Sequence, residues 1–84
     1  MDVFVPNYDG KKFSFVWEDD FSINCSIENN SVVINANQGG LISLARHLLV
    51  LAQENVPEYE HIHLDKYNSL DDNSAELIIV KRKG

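Results

Sequence analysis

The sequence predicts an α+β domain: a mostly antiparallel sheet of about five strands, in the order β-β-β-α-β-β, with one helix packed on one face. Three observations carry this expectation. Residues 22–28 alternate polar and apolar side chains, residues 41–52 repeat apolar side chains at helical spacing, and His61-Ile62-His63-Leu64-Asp65 alternates again.

Phe13-Ser14-Phe15-Val16-Trp17 reads as a first strand that ends in the acidic turn Glu18-Asp19-Asp20. Its three aromatics either complete the core, the favoured reading, or form an exposed patch through which a homodimer could assemble. A dimer through an edge strand is the other route. Ser22–Glu28 is a strand with one wet face, which places Cys25 on an apolar side as a buried, inert thiol. Asn29-Asn30 suits a tight hairpin turn, because Asn tolerates the left-handed backbone such turns require. The returning strand, 31–36, should set Val32, Ile34 and Ala36 on one face and Val33 and Asn35 on the other.

Asn37 can cap the helix, and Leu41, Leu44, Ala45, Leu48, Leu51 and Ala52 form its apolar face, widened by Ile42 and Leu49. Ser43, Arg46, His47, Val50, Gln53 and Glu54 then fall on the outer side. Asn55 and Pro57 should end it. Gly39-Gly40 sits in the first turn, where two glycines cost about 1 kcal/mol each in helix propensity, so the pair implies close strand-to-helix packing there. No Lys-Ser or Lys-Thr follows, as a phosphate loop would require. Strands at 60–65 and 75–82 complete the order, joined by the turn-rich loop 66–74.

At 84 residues the chain is read as one domain, 1–84, able to bury about 60% of its unfolded surface. Hydrophobic residues are 44% and charged residues 24%, a globular mixture. The longest apolar run, Leu48–Ala52, is far below the ~20 residues of a membrane span. The first residues show no basic region followed by an apolar stretch, so no signal peptide and a cytoplasmic location are expected. One cysteine allows neither an internal disulfide nor a cysteine-based zinc site. A net charge of −6 disfavours nucleic acid and anionic membrane as partners and favours a basic protein, although acidity also serves solubility alone.

His61, His63 and Asp65 share one strand face, and Ile62 and Leu64 share the other. Burying the two aliphatics is worth about 1.5–3 kcal/mol each, whereas burying the polar trio would cost desolvation, so the trio should face outward. Such a row could serve a metal-binding or regulatory module. A structural zinc site wants four ligands, however, and nothing else in the chain completes one. No nucleophile is placed with a base and an acid, and the paired carboxylates Asp19-Asp20 and Asp71-Asp72 lie in solvated turns. The sequence therefore predicts no enzyme, no cofactor and no bound metal.

The stretch from Gly40 onward resembles the bacterial immunity protein family Imm32. The shared pattern is Gly40, Leu41, Leu44 and Ala45 on the helix; His61, His63 and Asp65 on a strand; and Glu76, Leu77 and Ile79 on the last strand, covering about residues 35–81. The resemblance implies a small immunity-protein domain that protects a bacterium by binding a cognate toxin domain of a polymorphic or contact-dependent system, often a nuclease, without chemistry of its own. The candidate contact surface is His61, His63, Asp65 and the acidic groups Glu18, Asp19, Asp20, Asp71 and Asp72. Tyr67 either anchors the partner or packs over the sheet edge.

Overall fold

The computed structural model describes residues 1–84 and contains four strands and one helix. These are β1 (Ile23–Glu28), β2 (Ser31–Ala36), α1 (Gln38–Leu51), β3 (His61–Leu64) and β4 (Leu77–Val80). They do not make one five-stranded sheet. β1 and β2 form one antiparallel pair, with Cys25 opposite Ile34, and β3 and β4 form another, with Ile62 opposite Ile79. The two hairpins are joined by irregular backbone: Asp71 N–H donates to Ile23 O (2.8 Å) and Ala75 N–H to Cys25 O (2.7 Å). The connection between β3 and β4 thus occupies the free edge of β1, where a neighbouring strand would otherwise pair.

The β1–β2 turn forms as its residues dictate, with Asn29 and Asn30 both in the left-handed region at φ 51° and 67°. Asn37 caps α1 by accepting from Gly40 N–H at 2.8 Å. The helix stops earlier than Asn55 and Pro57 suggest, at Leu51 with Ala52 as its C-cap. Lys81 Nζ reaches back to Gln53 O (2.6 Å) and Val56 O (2.7 Å), satisfying two carbonyls of the turn that follows the helix.

The helix is rotated relative to its hydrophobic pattern. Gly40, Ser43, Arg46, His47, Val50 and Leu51 are buried, while Leu41, Ala45, Leu48, Leu49 and Ala52 face out. Gly40 explains which face goes in. A Cβ there would overlap the Ser22 carbonyl oxygen and lie 2.9 Å from Ile23 Cγ1, so the backbone of α1 rests directly on the start of β1. Residues one, two and three turns further on, at Ser43, His47 and Leu51, are carried to the same side.

No strand forms at 13–17, for a related reason. The backbone groups of the N-terminal segment bond to side chains from the polar stripe of the helix and the turn after it. Ser43 Oγ accepts from Glu18 N–H (2.8 Å). Arg46 donates through Nε to Phe4 O (2.8 Å), through Nη1 to Val16 O (2.9 Å) and through Nη2 to Glu18 Oε2 (2.8 Å). Gln53 accepts from Tyr8 N–H and donates to Pro6 O, and Asn55 donates to Tyr8 O. Phe13 and Trp17 then pack against the core formed by Tyr8, Ile23, Cys25, Leu51, Ile62 and Leu64. Phe15 remains exposed on one side. Cys25 is buried and free, as its place in the alternation suggested.

Two substitutions test this arrangement. Arg46→Lys retains the charge but cannot present three donors in one plane, and should cost about 3 kcal/mol in urea unfolding. Gly40→Ala should cost about 1–3 kcal/mol by overpacking against Ser22 and Ile23, whereas on a helix free of that contact the same change would stabilise.

Candidate functional site

Period-two alternation sends the side chains of β3 as the aliphatics require. Ile62 and Leu64 are fully buried, while His61 and His63 are exposed. Register brings Val80 beside His61 and Ile78 beside His63, and both aliphatics are about half exposed, so the open face of this hairpin mixes imidazole with apolar surface. His63 Nε2 lies 3.0 Å from Glu76 Oε2 and 3.6 Å from Asp65 Oδ2. Glu76 was not among the candidate residues. The antiparallel register could have found it, because pairing of His63 with Ile78 puts Glu76 across from Asp65.

Asp65 is a turn builder as well as a surface carboxylate. Its Oδ1 accepts from Tyr67 N–H (2.9 Å) and Asn68 N–H (3.1 Å), the local bonding expected of Asp at a turn. That turn holds Tyr67 outward, 86% exposed, with Lys66 Nζ 5.2 Å from its ring centre. Tyr67 therefore does not pack over the sheet edge. Tyr59, also exposed, has φ 74°, a costly conformation for an aromatic residue, and is held by its N–H bond to Lys81 O at the end of the β3–β4 ladder. No three His, Cys, Asp or Glu side chains come together in a geometry suited to a metal ion.

The turns that carry Asp19-Asp20 and Asp71-Asp72 meet at Ser22. Its hydroxyl donates to Asp71 Oδ2 (2.8 Å), its N–H donates to Asn37 Oδ1 (2.9 Å), and Asn37 Nδ2 in turn donates to Asp20 O. Two turns that are 49 residues apart in sequence at Ser22 and Asp71 are thereby tied to the N-terminal end of α1. Asp19, Asp20, Asp71 and Asp72 are exposed there, and carboxylates near a helix N-terminus are favourably placed. Glu18 differs, since its carboxylate is taken by Arg46. The structure thus separates the nine candidate residues into an acidic ridge, a His/Asp/Tyr surface on the second hairpin, and one residue engaged in an internal ion pair.

His47 is a polar group the pattern gave no reason to bury. It is 1% exposed, and both ring nitrogens lack hydrogen-bond partners. Trp17 and Phe15 meet it edge-on, with centroids 4.4 and 4.9 Å away. Burial, with a smaller contribution from the Arg46 charge, lowers its pKa from the ordinary 6.5 to about 4.

The family model described as Immunity protein 32 matches residues 31–83, well over half of the chain. No curated protein and no solved structure matches it.

Because the folded state holds His47 neutral and the unfolded state protonates it near pH 6.5, stability from this residue is complete above that pH and is lost as pH falls toward 4. From pH 7 to 5.5, before most carboxylates titrate, the loss should be about 1 kcal/mol by urea midpoint. His47→Phe should remove that slope; an unchanged slope would contradict the assignment.

Proposed function

This chain belongs to the Immunity protein 32 family, and from that membership we propose that it is a cytoplasmic, non-catalytic protein that binds and neutralises a cognate bacterial toxin domain. The observation that carries the reading further is the exposed acidic ridge of Asp19, Asp20, Asp71 and Asp72 on a chain of net charge −6. A toxin that acts on nucleic acid must carry a basic surface for the phosphate backbone, and such a surface is complementary to this ridge. A nuclease domain of a polymorphic or contact-dependent system is therefore the partner class that fits the charge.

Charge and contact divide the work at such an interface. The acidic ridge steers the encounter, while affinity comes from a few desolvated anchors. Tyr67 is the exposed aromatic suited to that role, standing off the second hairpin with His61 and His63 on the adjoining strand. Asp65 supports it by ordering the turn beneath. The His63 ring already faces Glu76 and Asp65, so one of its nitrogens is engaged within the hairpin.

Stopped-flow association with the toxin domain encoded beside its gene tests the reading. Asp19→Lys combined with Asp72→Lys should slow association about tenfold or more at low salt and much less at high salt, with the fold intact. Tyr67→Ala should mainly speed dissociation, by about tenfold or more. No binding by the unaltered chain at micromolar concentration would overturn the proposal.

A further inference from the structure

The rotation of α1 leaves an unusual surface. Leu41, Ala45, Leu48, Leu49 and Ala52 are exposed along the helix, and its only charged or titratable side chains, Arg46 and His47, are buried. An apolar groove of about 400 Å³, lined by Met1, Val3, Gln38, Leu41, Ile42 and Ala45, runs beside the stripe. Large exposed apolar surface on a small domain marks an interaction site.

We propose that this stripe docks on the same stripe of a second copy of the chain, as an antiparallel helix pair about a two-fold axis passing between Arg46 and His47. The spacing is the reason. Leu41, Ala45, Leu48 and Ala52 recur at intervals of four, three and four residues, the seam of a coiled coil, with leucine and alanine alternating. A two-fold axis at that point sets Leu41 against Ala52 of the second copy and Leu48 against its Ala45, so each large side chain meets a small one. Self-complementarity of one patch is what an isologous interface requires. Ala52 can take part because, although it is the C-cap, its backbone is still helical at φ −77° and ψ −8°.

Charge points to the same occupant. A basic toxin surface would bury its own charges against this stripe with no acid to pair them, whereas the stripe of a second copy carries no ionised side chain of its own. The acidic ridge lies at the N-terminal end of the helix, and an antiparallel pair puts the two ridges at opposite ends. Area sets the strength. A 14-residue helix offers a strip ~21 Å long and ~10 Å wide, short of the ~800 Å² per partner of a standard interface, so the dimer should dissociate in the micromolar to millimolar range.

Sedimentation equilibrium of the full chain from ~10 μM to ~1 mM decides this. The expected result is a monomer–dimer equilibrium that tightens with salt as like charge is screened, opposite to the salt response of toxin binding. Leu48→Glu should weaken it at least tenfold with an unchanged far-UV spectrum, since the side chain is already partly exposed. Ala45→Leu and Leu48→Ala should each weaken it, and the two together should restore it, because the size exchange rebuilds the same contact across the axis. A chain that stays monomeric to ~1 mM, a dimer indifferent to Leu48→Glu, or a double variant without rescue would each overturn the proposal.

Discussion

Arg46 is the residue on which the rest of the molecule depends. Its guanidinium is nearly buried, and its three hydrogen bonds reach three separate points of the N-terminal segment, at Phe4, Val16 and Glu18. A buried charge costs several kcal/mol unless its donors are satisfied, and the planar fork meets that demand with two carbonyls and one carboxylate. Once Arg46 is directed inward, Ser43 and His47 follow, because they share its side of the helix. The segment 4–18 is then held by side chains instead of by a strand ladder. This allows an irregular stretch to close the core with Tyr8, Phe13 and Trp17.

The same direction of burial has a cost at His47. Its ring is fully enclosed with neither nitrogen bonded, and edge-on contact with Trp17 and Phe15 compensates only in part. A neutral imidazole is tolerable there at neutral pH, and an imidazolium is not. Gly40 makes the geometry possible, since any side chain would hold the helix off Ser22 and Ile23 and loosen the packing that encloses both residues.

Local features were legible in the sequence where a single residue type decides the backbone. Asn29-Asn30 made the turn, Asn37 made the cap, and Ile62 with Leu64 chose the inner face of β3. The family, too, was legible, through the resemblance carried by Gly40, Leu41, Leu44, Ala45, His61, His63, Asp65, Glu76, Leu77 and Ile79, and the family model matches 31–83. The sheet and the helix face were not legible. Two competing stripes on α1 both have helical period, and hydrophobicity ranks Leu41 and Leu48 above Ser43, Arg46 and His47. What reverses that order is the hydrogen-bonding demand of a non-repetitive segment, which leaves no periodic trace. One clue was present. Gly40 already implied close packing on a strand, and counting whole turns from it reaches Ser43, His47 and Leu51, the buried side.

The inversion also explains how the surface is partitioned. Using the polar stripe internally removes charge from the outer face of α1, and exposed carboxylates lie elsewhere, four of them (Asp19, Asp20, Asp71 and Asp72) in the turns next to Ser22. A charge-free stripe and an acidic ridge on different parts of the molecule are compatible with the proposed self-association and the proposed toxin capture proceeding together. In the proposed pair the negative charge doubles, with the two ridges at opposite ends of the antiparallel helices. Such a pair would strengthen the field that draws in a basic partner, and the gain would be in association rate more than in the lifetime of the complex. On the proposed reading, lifetime would rest on Tyr67 and the His61–His63 surface, which the second hairpin presents apart from the exposed stripe of α1. A charged outer face on α1 would have forced these two roles to compete for one surface.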